Sequence, residues 1–362
     1  MPPPFTRAAV PPLPSQLPGK RRDITAFAAS ASRALIADLD GDGHAELALA
    51  DPIALRIVDA DGSEVARLPA LGGIETLTTW TIDAKVTLVA GWGMSREHRD
   101  AVARVSRIAM ARSGRGPAAL VATDLLVPTT TRAEIVATWP VDDALRIAYF
   151  DSKYGVTAIT AALHGDTVAT RDPVSIRMAT AWATGDLDGH GTRATVVGRV
   201  YGDAKGVDGD AFVLAPDGSR RALPTTRGVQ GLAVADTDGD GKAEIYVGDG
   251  WHQNYADHAQ GLLTEIRADG AGFRATPIED TPGQFTIWQI IAADVDGDGK
   301  PELVTRGSHY VRVFRRARDG WHGLTIAGVA RYVTVGPLDG HGNEIAILGD
   351  RSELVDLTGV SW

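Results

Sequence analysis

The chain contains no cysteine, which excludes disulfides and thiolate metal sites. It also has no apolar run of the ~18 residues that a membrane-crossing helix requires, so no transmembrane segment is expected. The net charge of −10 is offset by no basic stretch, which argues against a nucleic-acid partner. The short run Lys20-Arg21-Arg22 and the cluster Arg315, Arg316 and Arg318 read as solvated faces. Phosphate loops, dinucleotide fingerprints and nucleophile elbows are missing, so nothing supports hydrolase or nucleotide chemistry. No signal-peptide pattern is visible either, because Met1 leads into Pro2-Pro3-Pro4. Residues 1–22 read as a proline-rich tail acting as an extended tether.

What the chain does contain is glycine, 41 residues of it, arranged in a repeat. Five segments share an apolar run, a Gly/Asp-rich turn and a second alternating run: Ala37–Asp51, Gly185–Arg199, Ala235–Asp249, Ala293–Gly307 and Gly336–Asp350. The last four start at residues 185, 235, 293 and 336, a spacing suited to one four-stranded blade each. Two degenerate copies, Trp80–Gly91 and Trp139–Asp151, fill the long gap after the first. Alternation of Val, Ile, Leu, Ala and Thr on both sides of each turn is strand chemistry, with no competing helical stripe. The expectation is an all-β protein, a seven-bladed β-propeller of four-stranded antiparallel blades spanning residues 23–362. A strand from within residues 1–30 should complete the last blade and close the ring.

Three copies carry a complete D-x-D-G-D-G-x-x-E turn. Their acids are Asp38, Asp40, Asp42 and Glu46; Asp236, Asp238, Asp240 and Glu244; and Asp294, Asp296, Asp298 and Glu302. Alternate carboxylates around a tight turn converge on one point. With a backbone carbonyl from the seventh position (His44, Lys242 and Lys300), they offer the hard oxygen set that suits calcium rather than zinc or copper. Three structural calcium ions are therefore expected, one per complete loop, with Asp-Gly turn-making as the plainer alternative. Two further copies are damaged: His190 and Ala194 replace acids in one, and Pro337, Asp339 and His341 mark the other. Neither is expected to bind calcium.

With these loops in repeat register, the chain from about residue 30 onward resembles the FG-GAP, or VCBS, repeats of integrin α-subunit propellers and many exported bacterial proteins. The resemblance implies calcium loops that join the two innermost strands on the lower face, and ligands that meet the upper face. It also implies, together with the calcium chemistry, a secreted, periplasmic or cell-surface setting. Family members include adhesion receptors and lectins, and propellers of related shape occur in polysaccharide lyases and sugar dehydratases, so fold leaves activity open.

On that orientation the most distinctive upper loop holds Trp251, His252, Tyr255 and His258. Large aromatic and imidazole groups gathered on one loop point to contact with a ligand. Neighbouring loops carry Trp92 with Arg96, Glu97 and His98; Tyr201 with Asp203 and Lys205; and His309 with Tyr310. Innermost strands should bring Arg33, Gln230, Trp288, Gln289 and Arg331 near the axis, forming a polar, aromatic-rimmed funnel. Trp80, Trp139 and Trp182, in predicted inner strands, read as packing between blades. Three functions fit. One is a binding module for carbohydrate or another surface ligand, stacking on Trp251 and Tyr255. The second is a sugar-active enzyme such as a lyase or dehydratase, with His252 or Tyr255 as base and Arg331 neutralising a substrate carboxylate. The third is a scaffold for a protein partner.

Overall fold

The computed structural model describes residues 12–362 except 83, 95–99, 112–117, 129–132, 142–143, 152–154, 165–166, 203–208, 216, 226–227, 250–260, 271, 282–285 and 339–341. Among the described residues the chain forms 28 strands and a single helical turn, Thr25–Ala28. Among the described residues no helix is long and apolar enough to cross a membrane.

The strands run in antiparallel groups of four, each connected in chain order. Four sheets consist of consecutive strands, covering residues 134–177, 179–222, 229–281 and 287–327. A fifth joins the two ends of the chain. Tyr332–Gly336, Glu344–Leu348 and Glu353–Asp356 are completed by Lys20–Asp23, with Lys20 opposite Asp356 and Asp23 opposite Glu353. Most of that strand lies in the segment expected to be tail. Of its basic residues Arg21 is part-buried and pairs with Glu353, whereas Lys20 stays solvated, its Nζ 3.3 Å from Asp356 Oδ2.

Residues 33–126 form a sheet of eight strands rather than two sheets of four. The outer strand Glu64–Pro69 meets the outer strand Ala118–Leu126 through a short parallel bridge, Ala66 to Ala118 and Arg67 to Ala119. The segment leading each group packs against the next: Arg33–Ala37, Gly73–Ile82, Glu134–Val141, Ala179–Gly185, Val229–Ala235, Ile287–Ala293 and Tyr332–Gly336, the last returning to the first. These inner strands therefore form a closed cycle around an axis.

Burial peaks in the second strand of a group, beyond the half-buried inner strand, and explains the residue choice. In several groups the second strand is covered on both faces by neighbouring sheets. Glu46–Ala50 is buried at every position, and Glu302–Gly307 at all but one. Strands sandwiched in this way are continuous apolar runs. Outer strands face water and turn polar, as in Arg220–Ala222, which is exposed throughout. Sheets approach closely enough to require glycine at some contacts. A β-carbon on Gly248 would sit 2.7 Å from Ile287 Cβ of the next sheet. Gly248→Ala should therefore destabilise the protein by about 1–3 kcal/mol through overpacking, read as a lower urea midpoint with an unchanged slope.

Candidate functional site

The acidic turns lie between inner and second strands, as at Ala37 and Glu46, which face each other across the ladder. Each complete turn folds on the same internal bonds. Asp38 accepts from Gly41 N (2.6 Å) and Gly43 N (3.0 Å), and Glu46 Oε2 accepts from Leu39 N (2.8 Å). Asp236 and Asp294 repeat the first pattern, and Glu244 and Glu302 the second. Gly41 and Gly43 have φ of 79° and 91°, a region that β-carbons disfavour. The damaged turn keeps this skeleton too, with Asp186 accepting from Gly189 and Gly191. Turn shape is thus independent of the complete acid set.

Carboxylate oxygens of Asp38, Asp40, Asp42 and Glu46 lie within 4.8 Å of one another, as do those of Asp236, Asp238, Asp240 and Glu244. In the third loop the gathered set is Asp294, Asp296 and Glu302. Burial raises the affinity of Glu302 for its proton to a pKa of about 7, helped by the three aspartates around it and opposed by the Val295 N–H. Hard oxygens crowded in this way fit a divalent cation such as calcium.

Arginine enters two of the loops. Arg267 Nη2 lies 2.6 Å from Asp238 Oδ2 and 3.1 Å from Glu244 Oε1. Arg315 spans Asp296 (3.2 Å) and Asp298 (2.5 Å), which accounts for Asp298 standing apart from its cluster. The next residue, Arg316, donates to buried Glu265 of the preceding sheet at 2.6 Å. The basic cluster at 315–318 is therefore no solvated face at its first two positions. It couples strands and sheets.

A second feature lies on the axis. Five inner strands carry a register shift near their start, leaving one extra residue unpaired in each: Glu75, Val136, Thr180, Gln230 and Trp288. A bulge bends its strand and re-aims the extra side chain. All five line one cavity of about 360 Å³. The two inner strands without a shift contribute their first residues, Arg33 and Tyr332. Gln289, Arg306 and Trp182 also stand in the wall.

The cavity is cationic and aromatic. Arg33 lies over the Tyr332 ring (5.2 Å) and donates to Glu75 O (3.2 Å) and Ser32 O (2.9 Å). Arg306 lies over Trp288 (4.9 Å) and donates to Gln289 Oε1 (3.3 Å), while Gln289 Nε2 is anchored on Val333 O (2.7 Å). Among the described residues neither guanidinium forms an ion pair. Burial, reinforced by Arg33, pushes Arg306 down to about 10. Glu75 is weakened as a counterion, because burial and nearby Glu134 lift its carboxyl to about 8 despite Arg33 and the Ile135 N–H. Thr180 Oγ1 and Trp182 Nε1 are buried without a hydrogen-bond partner among the described residues. Trp288 remains 38% exposed, forming an open rim.

The structure places the sequence-predicted residues unevenly. Arg33, Gln230, Trp288 and Gln289 line the cavity. Arg331 does not. Its guanidinium donates to Ala29 O and Gly349 O, both at 2.5 Å. The sequence position was sound, since Trp288 and Arg331 correspond in the repeat, but the final inner strand lacks the bulge that turns Trp288 inward. His309 and Tyr310 are also outside the lining; Tyr310 is buried and packs edge-on to His309. Trp251, His252, Tyr255 and His258 lie outside the described residues, as do Arg96, Glu97, His98, Asp203, Lys205, Asp339 and His341. Trp80 is buried between sheets, whereas Trp139 stacks on Trp182 at 4.9 Å, joining packing to the cavity wall. Glu75, Thr180, Arg306 and Tyr332 were missed. Glu75 and Thr180 each follow an apolar residue at the start of an inner strand, the same place that Trp288 holds, which is the signal that could have found them.

No protein-family model matches the chain, and no curated protein matches it. Solved structures do. The chain is similar to BBS1N in complex with ARL6DN, with a TM-score of 0.61, 12% identity and coverage of 95% of this chain and 98% of that one. It is also similar to a chain of the mitotic checkpoint complex (TM-score 0.55, 11% identity, 97% and 95% covered). The Dos1 propeller gives a TM-score of 0.50 and 10% identity, over 86% and 76% of the two chains. At such identities the likeness defines architecture: this is an all-β chain with a β-propeller fold.

Proposed function

We propose that the chain is a seven-bladed propeller that acts as a protein-interaction scaffold, receiving an acidic group of its partner in the axial cavity. The eight-stranded sheet is read as two blades bridged at their outer edge, which accords with the seven inner strands in the cycle. Calcium at the acidic loops stiffens the ring. The repeated loops favour kinship with FG-GAP/VCBS repeats, and with it an extracytoplasmic setting.

The observation that carries this reading is the pair Arg33 and Arg306, facing one cavity without a carboxylate partner among the described residues. Such a cationic mouth on a chain of net charge −10 is a local feature that selects for anions. Arginine pairs and an exposed tryptophan are also the residues that dominate protein interfaces. BBS1N, whose fold this chain shares, is crystallised with a protein partner, which favours the scaffold over the other readings.

Peptide-display selection against the whole chain tests this. Enrichment of Asp- or Glu-bearing peptides, lost in Arg306→Gln and Trp288→Ala, is expected; no enrichment, or enrichment that both variants retain, overturns the reading. Trp288 favours one second reading, because an exposed indole beside polar groups also stacks on sugar rings. A glycan array answers it: uronate-specific signal that depends on Trp288, with no peptide enrichment, would replace the protein partner by carbohydrate. The lyase variant of that reading loses its expected charge neutraliser, since Arg331 is committed to carbonyls.

A further inference from the structure

The two guanidinium groups of the axial cavity are anchored in a way that leaves a particular set of donors over. Arg33 is fixed through Nε on Glu75 O and through Nη1 on Ser32 O. Arg306 is fixed through Nε on Gln289 Oε1, and Gln289 is itself held on Val333 O. Among the described residues, Arg33 Nη2 and both terminal nitrogens of Arg306 make no hydrogen bond. The two groups also share a neighbour. Burial raises the phenol of Tyr332, and Arg33 and Arg306 both oppose that rise. Arg33 lies over the Tyr332 ring and Arg306 over Trp288, so aromatic faces and neutral oxygens hold the pair in place without cancelling its charge.

We propose that the anionic group received here is a phosphorylated side chain of the partner, bound as a phosphate monoester dianion by Arg33 and Arg306 together. This assignment rests on the axial cavity being the docking point for a partner's anion, and it narrows that anion to one class. Charge is the first reason. The lining carries two fixed cations and one acid, Glu75, whose proton affinity is raised chiefly by burial. Burial, and after it the charge of Arg33, lowers the proton affinity of Arg306, so the two guanidinium groups already repel each other. A lone carboxylate compensates one of them and leaves the other uncompensated. A phosphate monoester, with a charge of about −1.5 to −2 at neutral pH, answers both. Geometry is the second reason. A planar carboxylate offers two oxygens and matches a single guanidinium fork. Here three terminal nitrogens arrive from two sheets, those of residues 33–126 and 287–327, with the Tyr332 strand between them. Donors converging from different sides suit the three tetrahedrally disposed oxygens of a phosphate. The cavity, about 360 Å³ in volume, has room for that group, and Trp288 at its exposed rim offers an apolar face to the chain that carries it.

Degenerate peptide pools with a central phosphoserine, aspartate or serine, read by fluorescence anisotropy against the whole chain, test it. The phosphoserine pool should bind wild type about tenfold or more tighter than the aspartate pool, and the serine pool should bind weakest. Arg306→Gln, and separately Arg33→Gln, should bring phosphoserine and aspartate to within about threefold of each other, because a single charge satisfies the one remaining cation. That ratio compares two ligands on one protein, so a partial loss of folded material does not move it. Should either variant fail to fold, the wild-type ratio still decides. Inorganic phosphate alone should compete far less well than the phosphoserine pool; equal competition would assign the site to the free ion and overturn the side-chain source. Equal binding of phosphoserine and aspartate pools to wild type would overturn the phosphate assignment and leave the acidic-group reading standing. Binding of neither pool would remove that reading as well.

Discussion

Glu265→Gln should cost about 1–3 kcal/mol of stability, the range for leaving the partners of a buried acceptor without it. Glu265 is only 5% exposed. It accepts from Arg316 Nη1 (2.6 Å), Arg267 Nε (2.5 Å) and Trp321 Nε1 (3.3 Å). Two of those donors, Arg316 and Trp321, belong to the next sheet along the ring, so this carboxylate ties adjacent sheets together. Its amide replacement removes the anion that both part-buried guanidinium groups contact most directly, leaving Arg267 on Asp238 and Glu244 and Arg316 with Asp238 at 3.8 Å. Burial alone would raise the pKa of Glu265, yet Arg316 and Arg267 hold it below the ordinary value. A depressed folded pKa means stability that is fully present above the unfolded value near 4.5 and lost as pH falls through the folded one. The loss in Glu265→Gln should accordingly be seen at pH 7 in urea titrations, and should shrink in acid. Equal midpoints for wild type and variant at pH 7 would show that the arginines find other anions.

What the sequence made legible was whatever repeats. Alternating strands and the Asp-Gly turns follow from local chemistry written several times over, and the closing N-terminal strand from a last unit one strand short. Even the degenerate copies at Trp80 and Trp139 mark real inner hairpins, with Trp80 opposite Thr87 and Trp139 opposite Arg146. What stayed illegible depends on one-residue departures from the repeat. Arg331 and Trp288 hold equivalent positions, but a bulge sends one to the axis and its absence leaves the other on backbone carbonyls. Arg315 and Arg316 read as surface charge because their carboxylate partners lie far along the chain, in the turn at Asp298 and on the strand at Glu265, which only the sheet register brings near. Arg306 carries no motif at all. It becomes part of the site through Gln289 and Trp288, which converge on it from the neighbouring strand.

Glu75→Gln should flatten the pH dependence of stability between about pH 4.5 and 8. The Glu75 carboxyl is raised to about 8 by burial first and by Glu134 second, with the Ile135 N–H and Arg33 opposing. It is also packed tightly: a β-carbon on Gly93 would sit 2.1 Å from its Oε1. The folded chain therefore retains a proton that the unfolded chain releases above its ordinary value near 4.5. Stability contributed by this group is complete below that value and declines as pH rises toward 8. The decline is on the order of 2–4 kcal/mol after allowance for partial exposure. Melting temperatures across this range should fall more steeply for wild type than for Glu75→Gln; parallel curves would refute a protonated Glu75. The same titration bears on ligand capture. While Glu75 is neutral, Arg33 and Arg306 leave the cavity with uncompensated positive charge. Once it ionises, a carboxylate of the protein itself shares that field, and an acidic guest meets a weaker one. Affinity for the acidic peptides selected at neutral pH should therefore drop as pH rises through about 8 in wild type, and stay level in Glu75→Gln.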